Sequence, residues 1–146
     1  MKLQNILTVG HIYQYHASLE GTWYRQIGEN GFHCGALNNG VVVMARGCYK
    51  QHAKADNFDA LSCETACSKY SFCVGYSYAE QLYNCRLYKS SESATCPSEY
   101  KPIDGPTATS IDQLIKWPSP IGIAQFGNPD GCYGKIKGKT KVCLKI

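Results

Sequence analysis

Residues 59–88 read DALSCETACSKYSFCVGYSYAEQLYNCRLY, and this stretch decides the fold. The spacing predicts a helix from about Ala60 to Tyr70. Asp59 is placed to cap it, because its carboxylate can accept from the free amides of the first turn. Ala60, Cys63, Ala66, Cys67 and Tyr70 recur at helical spacing and form one apolar stripe. Cys63 and Cys67 are one turn apart, so both point toward a sheet packed beneath the helix. Phe72 to Tyr78 then alternates as a strand does, with Phe72, Val74, Tyr76 and Tyr78 on one face and Cys73, Gly75 and Ser77 on the other. Asn84 to Tyr88 is the next strand. Cys73 and Cys85 sit on these two strands, within reach of a helix laid across them. Disulfides there would supply what a small core lacks, roughly 2–4 kcal/mol per bridge.

Outward from this stretch the chain is strand-prone on both sides. Thr8 to Tyr15 is β-prone. Leu19 to Gly31 reads as a short strand bounded by turns, with a hairpin signal at Asn30-Gly31. A second turn at Asn38-Asn39-Gly40 leads into Val41-Val42-Val43-Met44, an apolar run suited to a buried strand. Lys89 to Ser110 is rich in Ser, Thr and Pro and reads mostly as loop. Ile111 to Trp117 is a further strand, and Pro118 and Pro120 mark a boundary. The expected organisation is an N-terminal strand-prone extension (1–33), a central domain (34–117) and a Lys-rich C-terminal strand extension (118–146).

Nine cysteines in 146 residues imply a disulfide framework and an oxidising, extracellular compartment. The odd count leaves one Cys over, for a free thiol or a bridge to another molecule. The rival reading is zinc, with four His and nine Cys as ligand sources. Structural zinc sites pair two short knuckles, and Cys63-x3-Cys67 has no second one, so neither metal nor cofactor is expected. No stretch is long and apolar enough to span a membrane. The first ten residues break their apolar run at Gln4, Asn5 and Gly10, so a secretory leader is expected to have been removed or left out. The net charge of +4 is too small to imply nucleic acid.

Cys63-x3-Cys67-x5-Cys73-Val-Gly-Tyr-Ser-Tyr followed by Cys85-Arg-Leu-Tyr resembles the signature of the PAN/apple family. In that pattern a helix carries two Cys, a third precedes an aromatic strand, and a fourth precedes a Leu-aromatic pair. The resemblance covers about Val41 to Trp117. It implies an α+β fold, a curved antiparallel sheet of about five strands with one helix, stabilised by disulfides and here enlarged by strand-forming terminal extensions. It also implies that Cys63 bonds Cys85 and Cys67 bonds Cys73. Cys34, Cys48, Cys96, Cys132 and Cys143 remain, and two bridges can be drawn among them in about fifteen ways. Cys48 with Cys143 is the pairing that would close the termini.

The expected function is extracellular recognition of a protein or glycan, without catalysis. No nucleophile, zinc-protease, phosphate-loop or dinucleotide motif occurs. His33 adjoins Cys34, but a catalytic Cys needs its base close in space. All four His are read as solvated or ordinarily packed, and Glu64 and Glu80 as surface residues. Lys135, Lys137, Lys139 and Lys141 alternate with smaller residues and would project from one face of a strand. Such a face attracts acidic glycans; it serves equally to keep an exposed strand edge from aggregating. Tyr13, Tyr15, Trp23 and Tyr24 are candidate aromatic contacts for a sugar or protein. The alternative function is a self-assembling subunit of an extracellular fibre or coat, joined as a homo-oligomer or polymer through its terminal strands.

Overall fold

The computed structural model describes residues 6–9, 13–17, 21–28, 32–118 and 131–136, with side chains placed in 21–28, 32–117 and 131–136. In chain order the strands are β1 (Ile6–Val9), β2 (Tyr13–Ala17), β3 (Trp23–Gly28), β4 (Phe32–Asn38), β5 (Val41–Met44) and β6 (Gly47–Gln51). Helix α1 (Ala60–Lys69) follows, then β7 (Cys73–Ala79), β8 (Asn84–Lys89), β9 (Lys101–Ile103), β10 (Ile115–Pro118) and β11 (Cys132–Lys135). The fold is α+β, and the described strands pair antiparallel. Among the described residues one sheet has the order β1-β2-β3-β11-β7-β8-β6-β9, and a second has the order β10-β4-β5.

Helix α1 starts where its first turn is satisfied. The Asp59 carboxylate accepts from the Ser62 amide at 2.9 Å, and Ser62 Oγ accepts in return from the Asp59 amide at 3.3 Å. The helix lies on one face of the large sheet. Its Cys63 and Cys67 join Tyr24, Cys73, Tyr76, Tyr78, Cys85 and Leu87 in a first core. The three-stranded sheet covers part of the opposite face, and there Cys34, Ala36, Ala45, Val74, Tyr88, Ala108, Leu114 and Cys132 form a second. Every residue of β7 and β8 is buried; the helix covers one face, and the small sheet packs on the other at Val74 and Tyr88.

The strict alternation expected for β7 is broken by a bulge. Cys73 pairs with Lys89 and Gly75 with Tyr88, so Val74 is an extra residue. It turns to the second core, while Cys73, Tyr76 and Tyr78 face the helix. This half-step is what lets Cys73 meet Cys67.

The Asn38-Asn39-Gly40 turn closes the β4–β5 hairpin as read. Asn39 and Gly40 take φ of 53° and 81°, the left-handed pair of a two-residue turn, with Asn38 opposite Val41. Three expectations fail here. Asn30-Gly31 lies outside the described residues, but β3 and β4 on either side of it belong to different sheets and form no hairpin. Val41–Met44 is an edge strand with β4 as its neighbour, and Val41 is 61% exposed. Ile111 to Gln113 is a 3-10 turn, tied by Thr109 N donating to Gln113 Oε1 at 3.0 Å, and strand β10 starts only at Ile115.

The flanking segments enter the same sheet. β11 lies between β3 and β7, paired antiparallel with both. The described parts of the two extensions therefore complete the central sheet internally. Gly134 permits the close packing: a Cβ there would lie 2.4 Å from the Ile111 side chain.

Candidate binding site

The disulfides are Cys34–Cys132, Cys48–Cys96, Cys63–Cys85 and Cys67–Cys73. The last two are the pairs that the PAN/apple resemblance implied. The pairing of Cys48 with Cys143 is corrected: β6 lies beside β9, and the chain running into β9 brings Cys96 against Cys48. Cys143 lies outside the described residues. Eight cysteines are thus oxidised and unavailable as thiolate ligands, and among the described residues no cluster of three or more His, Cys, Asp or Glu could hold a metal.

The aromatic candidates Trp23 and Tyr24 are buried, at 6% and 0% exposure, and are not contact residues. Tyr24 packs edge-on against Tyr76 with ring centroids 5.2 Å apart, and its hydroxyl bonds Ser68 Oγ at 2.8 Å. The reason is β11, which makes β3 an internal strand. Tyr13 and Tyr15 lie on β2, with side chains outside the described residues. Of the lysine row, Lys135 is half-buried and donates to the Tyr70 carbonyl at 2.9 Å, so it braces the helix C-terminus instead of forming an open cationic face. Lys137, Lys139 and Lys141 lie outside the described residues.

Glu64, expected at the surface, is fully buried under α1 and accepts from the Tyr76 hydroxyl at 2.8 Å. Burial and that carboxylate together push the Tyr76 phenol well above its usual range. His33 is also fully buried. Its Nδ1 is 2.8 Å from Ser77 Oγ, which is 2.8 Å from the Tyr88 hydroxyl, and that hydroxyl accepts from the Cys34 amide. This chain joins the two sheets in the interior. His52 stacks on Phe58 with ring centroids 3.6 Å apart, and its Nδ1 is 3.6 Å from Asp56. Burial, reinforced by Lys50, lowers the His52 pKa despite the opposing pull of Asp56.

The site that sequence reading missed is a groove of about 440 Å³ on the face of β8, β6 and β9 away from the helix. Alternation builds its floor. Cys85 and Leu87 face the helix core, so Asn84 and Arg86 face the other way. Antiparallel register then sets Tyr49 opposite Arg86 and Gln51 opposite Asn84. The walls are Met44, at the end of β5, Leu82, and Pro102 to Asp104. The groove opens where the cover of the small sheet stops: Tyr88, two residues beyond Arg86, already lies in the second core.

Two floor groups are unusual for such depth. Arg86 is only 6% exposed, and its Nη1 donates to Met44 Sδ at 2.8 Å. Asn84 is 7% exposed, and its Oδ1 is buried with no hydrogen-bond partner among the described residues. A buried polar atom left unpaired costs about 1–3 kcal/mol, and such an exception calls for a functional account. On the rim, Asp104 pairs with Arg46 at 3.2 Å.

The signal for this site was present but mute. Asn-Cys-Arg-Leu alternates polar with apolar, and a polar strand face is ordinarily solvated. Only the pairing of β8 with β6, and of β6 with β9, turns that face into an enclosure. Comparison of the chain with protein-family models, with curated proteins and with solved structures returned no match.

Proposed function

We propose that this protein is an extracellular recognition module of PAN/apple type that binds a glycan in the β8–β6–β9 groove, and that it is not an enzyme. The observation that carries the reading is Asn84, which lines the groove and whose Oδ1 is buried without a hydrogen-bond partner among the described residues. A sugar hydroxyl is the donor that would satisfy it. Half-buried Tyr49 adds an aromatic face of the kind on which sugar rings stack. A few convergent polar groups between apolar walls such as Met44, Leu82 and Ile103 are the usual makeup of a small-ligand site. Four disulfides in a small α+β domain favour an oxidising compartment. The non-catalytic reading draws on the state of the nucleophiles: Cys34 is in a disulfide, and Ser77 is sealed between His33 and Tyr88. Assembly through the flanking strands draws no support from β3 and β11, each of which has a neighbour on both sides.

Asn84→Leu separates function from structure. Removing the orphan acceptor relieves its desolvation cost, so the melting temperature should hold or rise while retention on a glycan array disappears. A melting temperature that drops by several degrees, or array binding that survives the change, would refute the reading.

A further inference from the structure

We propose that the groove selects an acidic sugar, a pyranose bearing a carboxylate, held by Arg86. The inference rests on the glycan-binding reading above and names the class of sugar.

Arg86 on β8 is opposite Tyr49 on β6, and Tyr49 is opposite Lys101 on β9. Residues directly opposite in antiparallel strands share a face. The three therefore form one row, cation, aromatic ring, cation, across the groove side of the sheet. Adjacent strands are about 4.8 Å apart, so the two cations stand about 10 Å apart with the tyrosine between them. Asn84 and Gln51 form the next row. Two residues along a strand is about 7 Å, a distance that one pyranose bridges from its exocyclic carboxylate to a ring hydroxyl.

Each group matches one part of such a ligand. The planar guanidinium of Arg86 fits a carboxylate with two parallel hydrogen bonds, which a neutral hydroxymethyl group cannot accept in that form. The unpaired Oδ1 of Asn84 takes a hydroxyl donor. The Tyr49 ring covers the C–H face of the sugar between them. Lys101 is exposed and adds positive potential from the open side. The one carboxylate lining the groove, Asp104, pairs with Arg46 at the rim, which offsets its repulsion of an anionic ligand.

The test is a titration of the intact, oxidised protein with glucuronic acid, N-acetylneuraminic acid and glucose, followed by backbone amide shifts and calorimetry. At least one acid is expected to bind about tenfold or more tighter than glucose and to shift the amides of Tyr49, Asn84 and Arg86. The preference should fall to about twofold in Arg86→Gln. Should that variant fold poorly, exposed Lys101→Ala serves instead: it is expected to weaken acid binding and to reduce its salt dependence. If glucose binds in the groove as well as the acids do, or the preference persists in the variants, acid selectivity is overturned while the glycan-binding reading stands. If no sugar shifts the groove amides, both are overturned.

Discussion

Replacing Cys34 and Cys132 together by alanine should destabilise the protein more than replacing Cys67 and Cys73 together. The two bridges differ mainly in reach. Cys34–Cys132 closes a separation of 98 residues, and Cys67–Cys73 one of 6. Cross-linking restricts the unfolded chain in proportion to the logarithm of the loop, giving about 4.7 kcal/mol for a loop near 100 residues and roughly 2.4 kcal/mol for one near 7. Both pairs are buried, at 0% and 0% against 0% and 2% exposure, so the loss of packed sulfur is similar and largely cancels. The expected difference is about 2 kcal/mol, or roughly 6 °C in melting temperature for a chain of this size. Urea unfolding of the oxidised wild type and the two double variants, with circular dichroism and tryptophan fluorescence as coincident probes, measures it. Cys34 is on β4 of the small sheet and Cys132 on β11 in the middle of the large one, so the experiment also tests the docking of the two sheets. Equal losses in the two variants, or a larger loss from Cys67 and Cys73, would refute both the entropic argument and the central place of β11.

Tyr76→Phe removes a hydroxyl from a buried carboxylate. A hydrogen bond to a charged acceptor contributes about 1.5–3 kcal/mol, so a loss in that range is expected on urea unfolding, and an unchanged midpoint would show that the Tyr76–Glu64 bond does not stabilise the core. His52 gives a pH signature. Its folded pKa is lowered by burial from 6.5, so the unfolded state binds the proton more readily. The stability this contributes is present above about pH 6.5 and lost as pH falls below it. His52→Phe keeps a ring against Phe58 and should flatten the stability profile between pH 7 and pH 5; a profile of unchanged slope would assign that dependence to other groups.

The sequence by itself determined the local architecture. Asp59 marked the start of α1 because capping needs only a carboxylate within three residues of a free amide. Cys63 and Cys67 showed the buried face of the helix because four residues make one turn. Asn38-Asn39-Gly40 marked a hairpin because few residues tolerate the left-handed backbone it requires. The alternation in Phe72 to Tyr78 was visible too, but not the extra residue at Val74, since a bulge is fixed by the partner strand. Tertiary structure decided everything that depends on which strands meet. β11 inserts between β3 and β7, and that one pairing buries Trp23 and Tyr24, engages Lys135 with Tyr70, and brings Cys132 to Cys34 across 98 residues. The packing of α1 buries Glu64, which its own neighbours do not foretell. The groove follows the same rule. Asn84 and Arg86 look like a solvated strand face until β6 and β9 set Tyr49 and Lys101 beside them. Periodicity reports which residues of one segment share a face; it carries no information about the segment that will lie opposite.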